Sequence, residues 1–150
     1  MSYRIPRYKC KLVRDGSVAI REDLHKPISG KEQAIKLFKW LTDESPVELL
    51  MVAYLDAKGV VTGFETVSQG GRVGCSTTAA EIFRGAILHN AYAIILGHNH
   101  PSGDPKPSGE DLEVTRAARV AGKALGIGLL DHIIVTRTNA HYSFLEEGLC

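Results

Sequence analysis

Hydrophobic positions follow two different periods along the chain. Apolar residues spaced three or four apart predict three helices, over about 30–43, 79–88 and 109–125. Near-continuous apolar runs at 47–55, 92–97 and 127–136 predict strands that are covered on both faces. Shorter runs at 60–67 and 142–145 predict two more strands, the first joined to 47–55 by a hairpin turn at 56–59. This order predicts an α/β fold in which helices flank a mixed β-sheet.

Capping signals indicate where the helices begin. Ser29 with Glu32, and Thr78 with Glu81, have the spacing of a capping box, in which each side chain binds the other residue's backbone N–H. Ser108 is the predicted N-cap of the third helix. Three residues of the second helix are expected to face the core, namely Ile82, Ala86 and Ile87.

The N-terminal segment, residues 1–28, is basic. Two short strands are predicted in it, at 8–13 and 17–21, and five cationic residues lie close together: Arg4, Arg7, Lys9, Lys11 and Arg14. A solvated edge strand is favoured over a phosphate-binding arm. The formal net charge of the chain is only +1, whereas a dedicated nucleic-acid binder usually has a basic face or a high pI. Nucleic acid is therefore not the expected partner.

Length and cysteine usage indicate the class of protein. A chain of 150 residues with 44% hydrophobic content is the size of one domain that needs no disulfides. Cys10, Cys75 and Cys150 are far apart and odd in number, which suits a reducing compartment. The N-terminus lacks the apolar core of a signal peptide, and no apolar run is long enough to cross a bilayer. A single cytoplasmic domain without a membrane segment is expected.

The segment from His98 to Asp111 contains the candidate chemistry. His98 and His100 lie two apart at the end of a predicted strand, so both imidazoles point to the same side. Prolines and glycines stiffen the loop that leads to Ser108. Asp111 follows in the first turn of the next helix. Two imidazoles and one carboxylate leave a fourth tetrahedral position open, which is how catalytic zinc is held.

Each part of this segment also has a plainer interpretation. Ser108 and Asp111 alone would be an ordinary helix cap with an acidic first turn. An isolated His-x-His is more often a chance loop sequence than a metal site. The complete set at fixed spacing favours metal binding through His98, His100 and Asp111.

The spacing His-x-His, seven residues, Ser-x-x-Asp resembles the JAMM (JAB/MPN+) metalloprotease motif, and its surroundings resemble the RadC branch of that superfamily. Three stretches match that branch: Leu55-Asp56, Gly97–Pro105 and Leu130–Val135. The resemblance covers about residues 30–148. It implies a JAB/MPN-like, cytidine-deaminase-like architecture and a Zn²⁺-dependent hydrolase that cleaves peptide or isopeptide-like amide bonds.

The resemblance also implies catalytic roles for two residues. The family has a glutamate upstream on a strand that accepts the proton of the attacking water, and Glu65 is matched to it here. Ser108 would donate a hydrogen bond to the oxyanion of the tetrahedral intermediate. The chain departs from the family pattern at 79–81, where Ala-Ala-Glu replaces Pro-Arg-Glu. Substrate contacts near that helix are therefore not carried over.

Several other residues have more than one interpretation. Asp131 and His132 either support the metal ligands or close a buried hydrogen-bond network, and the second is favoured. Cys75, in the Gly-rich loop at 68–76, is either near the site or a small buried or semi-exposed thiol, and the second is the default. The remaining histidines, His25, His89 and His141, are expected at the surface.

Two other functions remain open. One is a peptide-binding module that keeps zinc without turnover. The other is a DNA-associated RadC-type protein, which the basic N-terminus suggests and the near-neutral net charge counts against. The expected partner of the enzyme is a peptide or protein-conjugate substrate. The oligomeric state is left open, with a homodimer as one option.

Overall fold

In the part of the chain that the structure describes, five strands form one sheet with helices on both faces. The structure is a computed structural model that describes residues 26–42, 45–70 and 77–150, together with Lys9, residues 13–17 and Ala19. The elements are α1 (Lys31–Leu41), β1 (Leu49–Leu55), β2 (Val61–Gln69), α2 (Ala79–Leu88), β3 (Ala93–His100), α3 (Gly109–Leu125), β4 (Gly128–Thr136) and β5 (His141–Ser143). No helix in these ranges has the length and apolar character needed to cross a membrane.

Some predictions concern residues that the structure does not describe. The strands expected at 8–13 and 17–21, and the basic segment 1–28 that contains them, lie largely outside the described residues. Cys75, His25 and the centre of the Gly-rich loop lie outside them as well.

The sheet is mixed, as the sequence predicts. Its strand order is β2-β1-β3-β4-β5. β1 is antiparallel to both β2 and β3, β3 is parallel to β4, and β4 is antiparallel to β5. The predicted 47–55 strand therefore lies inside the sheet, and residues 51–55 of it are buried. β2 forms one edge, and its exposure alternates along its length.

Two apolar clusters cover the two faces of the sheet. The cluster beneath α2 and α3 contains Val52, Tyr54, Ile82, Phe83, Ile94, Leu96 and Ala118. The cluster beneath α1 contains Leu37, Phe38, Met51, Ala53, Leu55, Ile95 and Ile133. Alternate residues of β1 and β3 contribute to opposite clusters because successive side chains of a strand point to opposite faces. The fold is therefore an α/β sandwich of three layers, in agreement with the prediction.

The helix starts agree with the sequence at two positions and differ at one. The capping boxes Thr78–Glu81 and Ser108–Asp111 are both formed. The box expected from Ser29 and Glu32 is wrong, because α1 begins one residue later with Gly30 as N-cap and no side-chain cap. The Ser29 hydroxyl instead accepts a hydrogen bond from Gln33 at 3.0 Å.

Two further corrections concern packing and strand ends. Ile87 was expected in the core but is 53% exposed, whereas Phe83, one turn earlier on α2, is 1% exposed and belongs to the cluster beneath α2 and α3. The last strand comprises 141–143 rather than 142–145. The strand expected at 92–97 continues to His100, so both histidines of the His-x-His sequence lie on β3 and not in the loop.

Gly97 lets α1 approach β3 closely, which leads to a first prediction. A Cβ at this position would overlap the ring of Phe38, a fully buried residue of α1. Gly97→Ala is therefore expected to lower the free energy of unfolding by about 1–3 kcal/mol, the usual cost of overpacking. Gly109→Ala is the control, since a Cβ there meets no atom within 4 Å. Equal stability of the two variants in chemical denaturation would contradict this account.

Candidate metal centre

The site is assembled from three elements that meet above the end of β3. His98 and His100 alternate with Asn99 on β3, so both imidazoles lie on the face that carries α2 and α3. Asp111 is the third residue of α3, where the Ser108 cap holds it. Glu48 immediately precedes β1. Leu50, two residues further along, pairs with His98 across the antiparallel ladder.

Four side chains converge on one point. The ligand atoms of Glu48, His98, His100 and Asp111 all lie within 4.8 Å of one another. His98 Nε2 is 2.9 Å from His100 Nε2 and 3.3 Å from Asp111 Oδ1. Asp111 Oδ2 is 3.7 Å from His100 Nε2, and Glu48 Oε1 is 4.0 Å from His98 Nε2. The structure thus brings together all three predicted ligands and adds one carboxylate.

Local hydrogen bonds orient two of these side chains. The backbone N–H and the hydroxyl of Ser108 both donate to Asp111 Oδ2 at 2.7 Å. The other carboxylate oxygen of Asp111, Oδ1, faces the cluster, 3.3 Å from His98 Nε2. His100 Nδ1 lies 2.7 Å from the backbone carbonyl of Asp104, so Nδ1 donates to it and Nε2 faces the cluster. The loop after β3 therefore orients one ligand, and the helix cap orients another.

The charges in the cluster favour an ionised carboxylate beside cationic or metal-bound imidazole. Burial alone would raise the pKa of Asp111, but hydrogen bonds from His100 and His98 hold this pKa well below its usual range. The hydrogen bond with Asp111 raises the pKa of His100 against the opposing effect of burial, and the Asp104 carbonyl adds to the rise. A cation placed at this point would find the carboxylate already ionised.

His132 and Asp131 have different surroundings. His132 is fully buried, and its Nε2 is 2.9 Å from Nδ1 of the predicted ligand His98. Burial lowers the pKa of His132 well below its usual value, and the neighbouring His98 lowers it further. The carboxylate of Asp131 instead accepts hydrogen bonds from the Ser143 hydroxyl and from two backbone N–H groups. His132 thus contacts the site, whereas Asp131 ties β4 to the segment after β5.

Glu65 lies elsewhere on the same face of the sheet. Glu65 is on the edge strand β2, where it pairs with Val52 of β1. It is not part of the four-residue cluster. Its carboxylate lies against Gly85 of α2, next to the hydroxyl of Tyr54. Its Oε1 atom is buried and has no hydrogen-bond partner among the described residues. The structure therefore does not bring Glu65 to the predicted ligands.

Glu48 is the residue that the sequence reasoning missed. It is the charged residue within the otherwise apolar run 47–55, and that position was the available signal. The side chain of Asn99 binds the backbone of the residues on either side of Glu48. Asn99 Nδ2 donates to the carbonyl of Val47 at 3.0 Å, and its Oδ1 accepts from the N–H of Leu49 at 2.8 Å. The residue between the two histidines thus holds the start of β1 beside them.

A cavity of about 550 Å³ opens next to His100. Asn99, Thr136 and Arg137 line it from the sheet, and Lys39 and Thr42 line it from the end of α1. Its size is in the range of small-ligand sites. It lies on the face of the sheet that carries α1, and His100 is the one residue of the four-residue cluster that lines it.

The donor set fits a metal ion. Ligands at about 2.0–2.1 Å from a tetrahedral ion lie roughly 3.3 Å apart, and the nitrogen and oxygen atoms here are separated by similar distances. The Nδ1 atoms of both imidazoles are engaged elsewhere, so both Nε2 atoms face the same point. No other group of three or more possible ligand residues is found in the described part of the chain.

The other histidines take no part in the cluster. His141 is exposed, as expected. His89 is half-buried rather than at the surface, with its ring stacked on Tyr54 at a centroid distance of 5.0 Å. Its Nε2 is 3.0 Å from the hydroxyl of Thr62.

Comparison with known proteins identifies the family. A model described as RadC-like JAB domain matches residues 28–149. A UPF0758 protein of Symbiobacterium thermophilum is 45% identical over 103 residues, which are 69% of this chain and 44% of that protein. UPF0758 proteins of Syntrophomonas wolfei and Thermotoga maritima are 37% and 39% identical over 89% and 78% of this chain, and over 57% and 53% of their own lengths. The chain thus spans about half the length of these relatives. The family match covers most of the chain, and its strands and helices form the JAB domain fold. This chain therefore belongs to the RadC-like JAB domain family.

Proposed function

We propose that this protein is a zinc-dependent hydrolase that cleaves a peptide or isopeptide-like amide bond. The observation that carries the proposal is the convergence of two imidazoles and two carboxylates within 4.8 Å, at the end of a buried strand. His98, His100 and Asp111 would hold the ion, because these three are oriented by the fold through their other polar atoms. Bound Zn²⁺ polarises a carbonyl and lowers the pKa of a coordinated water.

Glu48 is the proposed general base, in place of Glu65. Its carboxylate lies 4.0 Å from His98 Nε2 and is about half exposed, so it can reach both the cluster and the solvent. It would accept a proton from the attacking water and return that proton to the leaving amine. The two hydrogen bonds from the Asn99 side chain to Val47 and Leu49 hold the backbone of Glu48 in place for both proton transfers.

Ser108 is the proposed donor to the developing oxyanion. It is exposed and its hydroxyl lies 2.7 Å from Asp111 Oδ2, directly beside the cluster. The backbone N–H of Ser108 also binds Asp111 Oδ2, so the carboxylate stays held when the hydroxyl turns to a substrate. A hydrogen bond that forms as charge develops on the carbonyl oxygen stabilises the transition state more than the bound substrate.

The proposed substrate is a peptide or a protein conjugate. The cavity beside His100 has room for a few residues of an extended chain, and hydroxyl and cationic side chains at its wall can bind backbone carbonyls. Such a chain would pass His100 to reach the cluster, which lies on the other face of the sheet.

The metal assignment is tested by elemental analysis of purified protein. We expect wild type to hold one zinc per chain and His100→Ala to lose most of it, because the variant lacks one of three ligands. His141→Ala is the matched control, since this exposed histidine lies outside the cluster, and it should keep wild-type zinc content. Equal zinc content in His100→Ala and wild type would show that His100 is not a zinc ligand. Hydrolysis of peptide and isopeptide libraries by the three proteins should follow their zinc content.

A further inference from the structure

Thr115 and His132 form a buried chain of hydrogen bonds that connects two proposed metal ligands, His98 and Asp111. The Thr115 hydroxyl is 2.6 Å from the backbone carbonyl of Asp111, on the preceding turn of α3. The same hydroxyl is 2.7 Å from His132 Nδ1, and His132 Nε2 is 2.9 Å from His98 Nδ1. Thr115 and His132 are 1% and 0% exposed, so water does not compete for these bonds.

The direction of each bond follows from counting hydrogens. A carbonyl oxygen only accepts, so the one hydroxyl hydrogen of Thr115 is donated to Asp111. Towards His132 the hydroxyl oxygen must then accept, and His132 Nδ1 carries the hydrogen. His132 is neutral, because neither of its bonded neighbours is a carboxylate that would offset a buried charge. Its Nε2 therefore has a lone pair and accepts a hydrogen from His98 Nδ1.

We propose that Thr115 and His132 are positioning residues that hold His98 in the Nδ1–H tautomer and direct its Nε2 lone pair at the metal. A histidine ligand needs a free lone pair on the binding nitrogen, and its other nitrogen usually donates to a neighbour that fixes the ring. His100 takes this support from the backbone carbonyl of Asp104. His98 takes it from side chains alone, so its orientation can be changed by mutation.

The chain of bonds also connects two elements that must stay in register. His98 is on β3 and Asp111 is on α3, and the bonds run from one to the other through β4, which carries His132. The same chain of hydrogen bonds thus sets the tautomer of His98 and binds the backbone carbonyl of Asp111. This inference rests on the metal centre proposed above, and its test includes a measurement that needs no metal.

The first measurement is imidazole nitrogen NMR of the whole chain without metal. Long-range proton–nitrogen correlations distinguish protonated from unprotonated ring nitrogens. We expect hydrogens on Nδ1 of both His98 and His132 and a lone pair on Nε2 of His132. A His98 without a hydrogen on Nδ1, or a hydrogen on Nε2 of His132, overturns the proposal whatever the protein binds.

The second measurement is Zn²⁺ affinity by competition with a chelator. Thr115→Val removes the hydroxyl and nearly keeps the shape, so the Nε2–H tautomer of His132 becomes accessible. We expect affinity about tenfold weaker, at the lower end of the usual effect of such supporting residues, with mixed tautomers in the NMR spectrum. Thr115→Ser keeps the hydroxyl and should restore both. A Thr115→Val protein with wild-type affinity and unchanged tautomers contradicts the proposal.

A third variant serves if Thr115→Val does not fold. His132→Phe keeps an aromatic ring stacked on Phe144, where the present ring centroids are 4.6 Å apart, and removes both nitrogens. We expect zinc affinity to fall by roughly ten- to a hundredfold, and His98 to lose its preference for Nδ1–H. Unchanged affinity in His132→Phe overturns the inference. Absence of zinc from the wild type would instead count against the proposed function, and the metal-free spectrum would still decide the tautomers.

Discussion

Glu48→Gln is expected to keep zinc and to lose hydrolysis. The amide has nearly the shape of the carboxylate but cannot accept a proton from the attacking water. General acid–base catalysis contributes about a hundredfold to ten-thousandfold, so turnover should fall by that factor. Zinc should stay, because His98, His100 and Asp111 are unchanged and are held by bonds that do not involve Glu48. Zinc content and the rate of amide hydrolysis are measured on the same preparation.

Glu65→Gln is the matched control for this experiment. It makes the same chemical change on the neighbouring strand, at a carboxylate that lies against Gly85 and Tyr54 instead of the cluster. We expect turnover close to that of wild type. If Glu65→Gln is inactive while Glu48→Gln is active, the assignment made from the sequence is right and the proposed role of Glu48 is wrong. If both variants keep activity, a base outside this pair is required.

Ser108→Gly is expected to reduce turnover by on the order of a hundredfold, roughly 2.7 kcal/mol in the transition state, if the hydroxyl donates to the oxyanion. Stability should change by only a few tenths of a kcal/mol, since glycine is a good N-cap. Zinc content should be normal, because the backbone N–H at position 108 still binds Asp111 Oδ2. Turnover, melting temperature and zinc content together separate this role from capping.

Ser108→Thr is the control, since it keeps both the hydroxyl and the cap. Its turnover should be near that of wild type. A Ser108→Gly protein whose turnover falls only as far as its folded fraction would show that Ser108 is a helix cap alone. A protein that loses zinc would show instead that its hydroxyl serves mainly to hold Asp111, which it contacts at 2.7 Å.

The sequence determined those parts of the site that depend on local geometry. His98 and His100 point the same way because a strand has a period of two, and this is true wherever the strand lies. Ser108 and Asp111 are joined by a capping box that spans three residues. The apolar runs likewise predicted which strands are buried. Local rules failed for α1, where the sequence predicted Ser29 as N-cap and the helix instead begins after Gly30 without a side-chain cap.

Only the tertiary structure decided which carboxylate accompanies the histidines. Glu48, immediately before β1, and Glu65, on β2, both precede the ligands in the chain, and strand periodicity alone does not rank them. The strand order does, because β1 lies next to β3 whereas β2 is the edge strand beyond it. The start of β1 therefore reaches the end of β3, where Asn99 secures it by two hydrogen bonds. The place of His132 was decided in the same way, since the parallel pairing of β4 with β3 brings it to His98. Strand pairing joins residues far apart in the chain, and the local periodicity that shapes each strand carries no information about its neighbours.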